Sequence, residues 1–181
     1  MNRQPTLEGE HLLLRPLEPT DWDALFAIAS DPMVWEQHPF HDRWREDVFR
    51  VFFDDALAKG GALAVVHKAK GAIIGSSRFQ GYEEEDGGSV EIGWTFLACK
   101  YWGTGLNHEM KRLMLAHALE SVERVDFRVG ETNYRSRIAL ENIGAVRSRR
   151  TDLQQYQGKR VLHLVYEITR ENFENGPLNG R

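Results

Sequence analysis

A chain of 181 residues with 41% hydrophobic and 28% charged residues is long enough to bury one core without a disulfide or metal staple. Its 23 Lys and Arg against 27 Asp and Glu give a net charge of -4, too mild to imply a nucleic-acid partner, which demands a concentrated basic face, so none is expected. A lone cysteine, Cys99, excludes an internal disulfide and any multi-cysteine metal site.

Met1–His11 has no apolar stretch of the kind a signal peptide needs, and nowhere do eighteen apolar residues run together. A cytoplasmic domain with no membrane partner is therefore expected. His11–Leu17 is a short apolar run closed by Pro16 and Pro19, a first strand. Thr20 and Asp23 have the spacing of a capping box, and the helix they open carries Trp22, Leu25, Phe26 and Ile28 as far as Ser30. Met33–Asp42 reads as a loop unusually rich in aromatic residues and histidine. A second helix, 43–59, places Val48, Val51, Phe52 and Leu57 near one face and ends at Gly60-Gly61.

Three strands follow, 62–67, 73–80 and 89–97, separated by Lys70-Gly71 and by the acidic turn Glu83–Gly88, and they read as an antiparallel meander. The period then changes. Leu106, Met110, Leu113, Met114 and His117 form the buried stripe of an amphipathic helix. Val125, Phe127 and Val129 alternate with polar neighbours as another strand, and a short helix spans 134–142. Val146–Asp152 and Arg160–Thr169 flank Gln157-Gly158-Lys159 as a hairpin, with Arg147, Arg149 and Arg150 on its exposed side. Residues 1–170 are read as one domain and 171–181 as a frayed C-terminal tail. The order β-α-α-β-β-β-α-β-α-β-β requires a right-handed parallel crossover within a mostly antiparallel sheet.

The stretch Val90–Glu109, VEIGWTFLACKYWGTGLNHE, runs from a strand through Gly103-Thr104-Gly105 into a helix. Glycines there leave the backbone amides unobstructed, and the first N–H groups of a helix, with its dipole, attract an anion. A Walker loop needs Gly-x4-Gly-Lys-Ser/Thr and is absent; a dinucleotide fingerprint needs a third glycine where the chain has His108.

In context the segment resembles the GNAT superfamily of acyl-CoA-dependent N-acetyltransferases. That family's Gln/Arg-x-x-Gly-x-Gly/Ala motif is met by Lys100-Tyr101-Trp102-Gly103-Thr104-Gly105, with Lys in the first position. The form Trp-Gly-Thr-Gly-x-Asn-x-Glu, with Asn107 and Glu109, is similar to the RimJ/RimL-like branch. So is Asn133-Tyr134-Arg135-Ser136 leading to Gly144-Ala145. The likeness spans about residues 9 to 170. It implies a GNAT fold of α+β type: a six- to seven-stranded mixed sheet, mostly antiparallel, with one parallel splayed pair and helices on both faces.

The same resemblance implies that acetyl-CoA is the co-substrate. Its pantetheine would lie along Thr95, Phe96 and Leu97. Its pyrophosphate would lie on the amides of Trp102, Gly103, Thr104, Gly105, Leu106 and Asn107, with Asn133 reaching in from the other side. The acceptor is then a primary amine, a small molecule or a protein N-terminus, which attacks the thioester directly, with the Thr95 N–H receiving the oxyanion. A lysine-type amine is neutral only about 0.04% of the time at pH 7 and an α-amine about 14%, so a base matters. Glu91, six residues before Leu97, is the candidate base, and its other reading is an ion pair with Arg78 or Arg128. The usual family tyrosine seven residues after Asn133 is Leu140 here. In the RimL-like branch a serine takes the protonating role, which maps to Ser136; its other reading is a first-turn residue bonding local backbone.

Trp35, His38 and Phe40 are expected to line the acceptor site, as the equivalent region does in relatives. His38 and His41 lack a second pair at ligand spacing, so no metal is expected, and Cys99 is read as a structural thiol. The C-terminal hairpin edge offers a route to a homodimer. The alternative to catalysis is a CoA-binding or sensor module that kept the loop and lost turnover.

Overall fold

The computed structural model describes residues 1–179. Eight strands form one sheet: β1 (Leu7–Glu8), β2 (Leu12–Pro16), β3 (Ala62–His67), β4 (Ala72–Glu83), β5 (Ser89–Leu97), β6 (Arg124–Gly130), β7 (Val146–Tyr156) and β8 (Lys159–Thr169), in the order β1-β2-β3-β4-β5-β6-β8-β7. The eighth strand, beyond the six or seven expected, is the two-residue β1, which pairs Leu7 with Leu14. Every neighbouring pair is antiparallel except β5 and β6. The hairpin between β7 and β8 turns through Gln157 and Gly158, both at positive φ, the backbone of a two-residue turn that matches strand twist.

Helices α1 (Trp22–Ala29) and α2 (Glu46–Lys59) cover one face; α3 (Leu106–Leu119) and α4 (Tyr134–Asn142) cover the other. The division is visible in β3, where alternate side chains point to opposite faces. Ala62 and Ala64 pack with α1 and α2, whereas Leu63 and Val65 join the core beneath α3. Small alanines on the first face leave room for an aromatic layer. Trp22, Phe49 and Phe53 meet there in tilted and edge-on contacts with ring centroids 5.3 to 6.4 Å apart.

Three local expectations are corrected. Asp21, not Asp23, closes the turn before α1: its carboxylate accepts the Glu18 amide at 2.9 Å and both guanidinium nitrogens of Arg15. Helix α2 begins at Glu46 rather than 43 and buries Phe49, Phe53 and Ala56, while Val51 is 70% exposed. Eight of its fourteen residues are apolar, so several stripes compete, and the bulkiest wins by filling the aromatic layer. Finally, the segment read as a frayed tail forms the short helix α5 (Arg170–Glu174) and seats Leu178, 3% exposed, against the main core. Residues 180 and 181 of that segment lie outside the described residues.

Truncating Phe53 to Ala is expected to lower unfolding stability by about 3–5 kcal/mol, measured by urea denaturation, because the void opens inside a layer held on all sides.

Candidate active site

Strands β5 and β6 pair only over Ser89–Glu91 with Arg124–Asp126. Beyond Glu91 they part, and among the described residues no ladder joins Ile92–Leu97 to β6. The parting coincides with a bulge in β5. Trp94 and Thr95 together oppose Ser77 of β4, and Trp94 takes a left-handed backbone with φ 50°, a conformation uncommon outside glycine. Arg78, 1% exposed, packs its guanidinium 4.9 Å from the Trp94 ring and is held by Asp55 at 2.8 Å.

The split opens a cleft of about 280 Å³ lined from both strands, from the start of α3, from α4 and from the loop before α2. That loop is fixed. Trp35 is buried and its Nε1 donates to the Ala29 carbonyl at 2.8 Å. Its neighbour Pro39 presses on β6 at Gly130, where any Cβ would stand 2.3 Å from Pro39 Cγ. Gln37 accepts the Arg135 amide at 3.0 Å, tying the loop to α4.

At the other end, α3 starts at Gly105, which has φ 87° as the residue preceding the helix. The amides of Gly103 to His108 donate to no acceptor among the described residues, whereas Trp102 N–H is committed to the Cys99 carbonyl at 3.0 Å. Six unpaired donors stand at the positive end of a 14-residue helix, an arrangement that favours an anion; of the span expected, Trp102 alone has its amide committed, and His108 adds a free one. The Thr104 hydroxyl donates to the Tyr101 carbonyl at 2.6 Å and shapes the turn. Trp102 Nε1 donates to the Leu97 carbonyl at 3.0 Å, and the Arg135 guanidinium lies 3.9 Å from its ring centroid. Glu109 faces away from the cleft. Its carboxylate accepts the amides of His11 and Leu12 at 2.8 and 3.0 Å, fastening α3 to β2.

Of the residues singled out from sequence, Thr95, Phe96, Leu97, Trp102, Gly103, Asn107, Asn133, Ser136, Trp35 and His38 line this one cleft. Thr104, Gly105 and Leu106 line a second hollow behind the loop, with Lys100 and Arg112. Phe40 lies behind the wall, its ring 4.5 Å from that of Tyr156 and 6.0 Å from His163. Asn133 Oδ1 accepts the Ser136 amide at 3.3 Å and caps α4, and its side-chain nitrogen has no described partner. The Ser136 hydroxyl likewise makes no bond to local backbone. Leu140 is buried in the core edge of the cleft, and no tyrosine is among the lining residues.

Glu91 is 7% exposed beneath the point where the strands part, and the Arg128 guanidinium binds its Oε2. Of its two readings, the ion pair with Arg128 is therefore present. Burial pushes its carboxyl above the usual range, against the downward pull of Arg128. The pair occupies only one oxygen. Oε1 has no described hydrogen bond and lies 3.2 Å from where a Cβ on Gly93 would stand, so the glycine leaves that oxygen uncovered.

Lys111 was not legible as a site residue. It is 5% exposed on α3, lines the cleft and donates through Nζ to Thr95 Oγ1 at 2.8 Å; that hydroxyl also meets Ser77 Oγ at 2.8 Å. With no carboxylate beside it, burial lowers its pKa to about 7. The available signal was its place four residues before Leu115 on the inward face of the helix. Cys99 is half-buried outside the cleft, and burial together with Asp31 pushes its thiol up, the opposite of an activated nucleophile.

Residues 11–146 match the family described as Acetyltransferase (GNAT) domain. The uncharacterized N-acetyltransferase p20 of Bacillus licheniformis is 28% identical over 135 residues, 71% of this chain and 75% of that protein. The acetyltransferase (GNAT family) of Bacillus anthracis superposes with a TM-score of 0.76 at 22% identity, over 92% of this chain and 99% of the other. Mycobacterium smegmatis RimJ, in complex with CoA-disulfide, superposes with a TM-score of 0.70 at 19% identity, over 92% of this chain and 86% of its own. The chain belongs to the GNAT acetyltransferases, whose reaction moves an acetyl group from acetyl-CoA to an amine. The fold is the GNAT fold, with a mixed sheet opened at one parallel pair. No described helix is long and apolar enough to cross a membrane.

Proposed function

We propose that this protein acetylates a primary amine by direct attack on acetyl-CoA within a ternary complex, as a member of the RimJ/RimL-like branch. The observation that carries the reading is the run of unpaired amides from Gly103 to His108 at the mouth of a cleft between diverging strands. A diphosphate takes those amides, with Arg135 close by on Trp102. The pantetheine follows the freed edge of β5 along Thr95, Phe96 and Leu97, and the Asn133 amide nitrogen donates to it from across the cleft.

The chemistry then falls on groups around the bulge. Holding amine and thioester together contributes about 7–11 kcal/mol through pre-paid entropy. Thr95 N–H receives the developing oxyanion. Lys111 is a positioning residue that holds the Thr95 side chain, and thereby its amide, in place. Glu91 takes the proton of the amine through Oε1, its raised pKa bringing it toward the working range, and the free Ser136 hydroxyl protonates the departing thiolate.

The test is calorimetry with CoA, together with thiol release from acetyl-CoA in the presence of amines. Gly105→Val is expected to weaken CoA binding at least tenfold, because a β-branched residue resists the left-handed backbone there. Circular dichroism should stay native. Equal affinity in wild type and variant would remove the loop from cofactor binding. CoA binding without transfer to any amine would support the sensor alternative.

A further inference from the structure

The acyl-transfer reading leaves the identity of the amine open, and the far end of the cleft bears on it. The cleft is lined by Arg43, Lys111, Arg128 and Arg135, and by no aspartate or glutamate among the described residues. Two of these charges already have work. Arg128 is paired with Glu91, and Arg135 lies on Trp102 at the cofactor end. Lys111 sits at the centre, bound to Thr95. Arg43 remains.

Its guanidinium stands 5.4, 5.0 and 4.8 Å from the ring centroids of Trp35, Phe40 and Phe52, an aromatic setting that orients a cation but does not neutralise it. No carboxylate of the described residues is within ion-pair distance. Asp42, the adjacent residue, turns away: it accepts the Tyr156 hydroxyl and Gln157 Nε2 instead. Burial, with Arg78 nearby, lowers the Arg43 pKa to about 10 against the upward pull of Tyr156 and Asp42.

His38 completes the arrangement. Its Nδ1 accepts the Phe40 amide at 3.0 Å, and burial with the nearby Arg43 charge keeps the ring neutral. A neutral ring that accepts at Nδ1 carries its proton on Nε2. That nitrogen lies 3.5 Å from Arg43 Nη1, so donor faces donor. Both residues line the cleft, and two adjacent donors opposed to each other are relieved by a carboxylate oxygen that accepts from both from the cleft side.

Resting on the acyl-transfer reading, we propose that the acceptor is an amine that also carries a carboxylate, which Arg43 and His38 receive on the cleft side. A free amino acid and a peptide with an acidic N-terminal residue both present this chemistry; a polyamine carries no carboxylate for Arg43.

The experiment compares matched acceptors with acetyl-CoA as donor. Its arms are α- and ω-amino acids against their carboxamides, peptides beginning with Asp or Glu against the same peptides with Asn or Gln, and spermine. Wild-type protein is expected to acetylate at least one acid with a kcat/KM at least tenfold above its amide and above spermine. The arm in which this occurs identifies free amino acid or peptide as the source. Arg43→Gln should bring the acid-to-amide ratio close to one, through a higher KM for the acid, and Arg43→Lys should restore part of it. Binding of the same acids to the CoA-loaded protein is followed by calorimetry, which does not depend on turnover. Equal use of acid and amide, preference for spermine, an acid preference that survives in Arg43→Gln, or no acid bound or acetylated overturns the proposal. Failure of the protein to bind CoA overturns the acyl-transfer reading instead.

Discussion

Lys111→Met is expected to make the protein more stable and slower. A depression of the lysine from 10.5 to about 7 means the folded state holds this proton weakly, while the unfolded chain holds it normally. Below pH 7 the lysine is protonated in both states, and the folded state bears the full cost of a buried charge. Between pH 7 and about 10.4 the unfolded chain keeps a proton that the folded state has released, so wild-type stability rises with pH across that window. Methionine of similar length removes the cost. At pH 7 the variant should gain about 2–4 kcal/mol in denaturant unfolding, and the gain should shrink as pH approaches 10. Thr95 loses a donor while keeping Ser77, so kcat should fall about tenfold with the KM for acetyl-CoA within a factor of two. A variant less stable than wild type at pH 7 would show that the lysine is well solvated, and an unchanged kcat would remove it from positioning Thr95.

Glu91→Gln is expected to give the largest loss of turnover, about 100- to 1,000-fold, the range a positioned proton acceptor supplies. Gln keeps an oxygen for Arg128, so the fold and CoA affinity should change little. The sign of the pH effect follows from burial: the carboxyl titrates above its ordinary value of 4.5, and as a base it works only when ionised. Activity that depends on it should therefore fall as pH drops through that raised value, and this acid limb should vanish in the variant. Gly93→Ala offers a second probe, since its methyl would cover Oε1 without touching the Arg128 pair. Wild-type kcat in Glu91→Gln would reduce the residue to a partner of Arg128.

Much of this was legible in the chain because periodicity and turn chemistry are local. The meander, the change of period at Leu106 and the two-glycine loop each follow from spacing, and the position of the sheet's opening followed from resemblance. What escaped reading was decided by tertiary packing. A lysine counts as polar in any helical pattern, so Lys111 vanished into the solvent side of the stripe, although the helix turns it inward beside Leu115. Helix α2 offered two plausible faces, and only the aromatic layer on the small alanines of β3 selects Phe49 and Phe53. Arg43 was read as the first residue of α2; in the structure the helix begins later, and the arginine folds back over three rings. Leu178 lay in a stretch dense in Asn and Gly, where nothing local announces a socket in the core.

Glu109 carries a consequence for how a ligand would be met. Because its carboxylate clasps the amides of His11 and Leu12, the first turn of α3 is bolted to the sheet before anything arrives. The loop's six donors therefore start preorganised, and binding an anion there spends little of its free energy on freezing backbone. Cutting that clasp would leave every donor in place and still weaken the grip, since the turn would have to be frozen anew at each encounter.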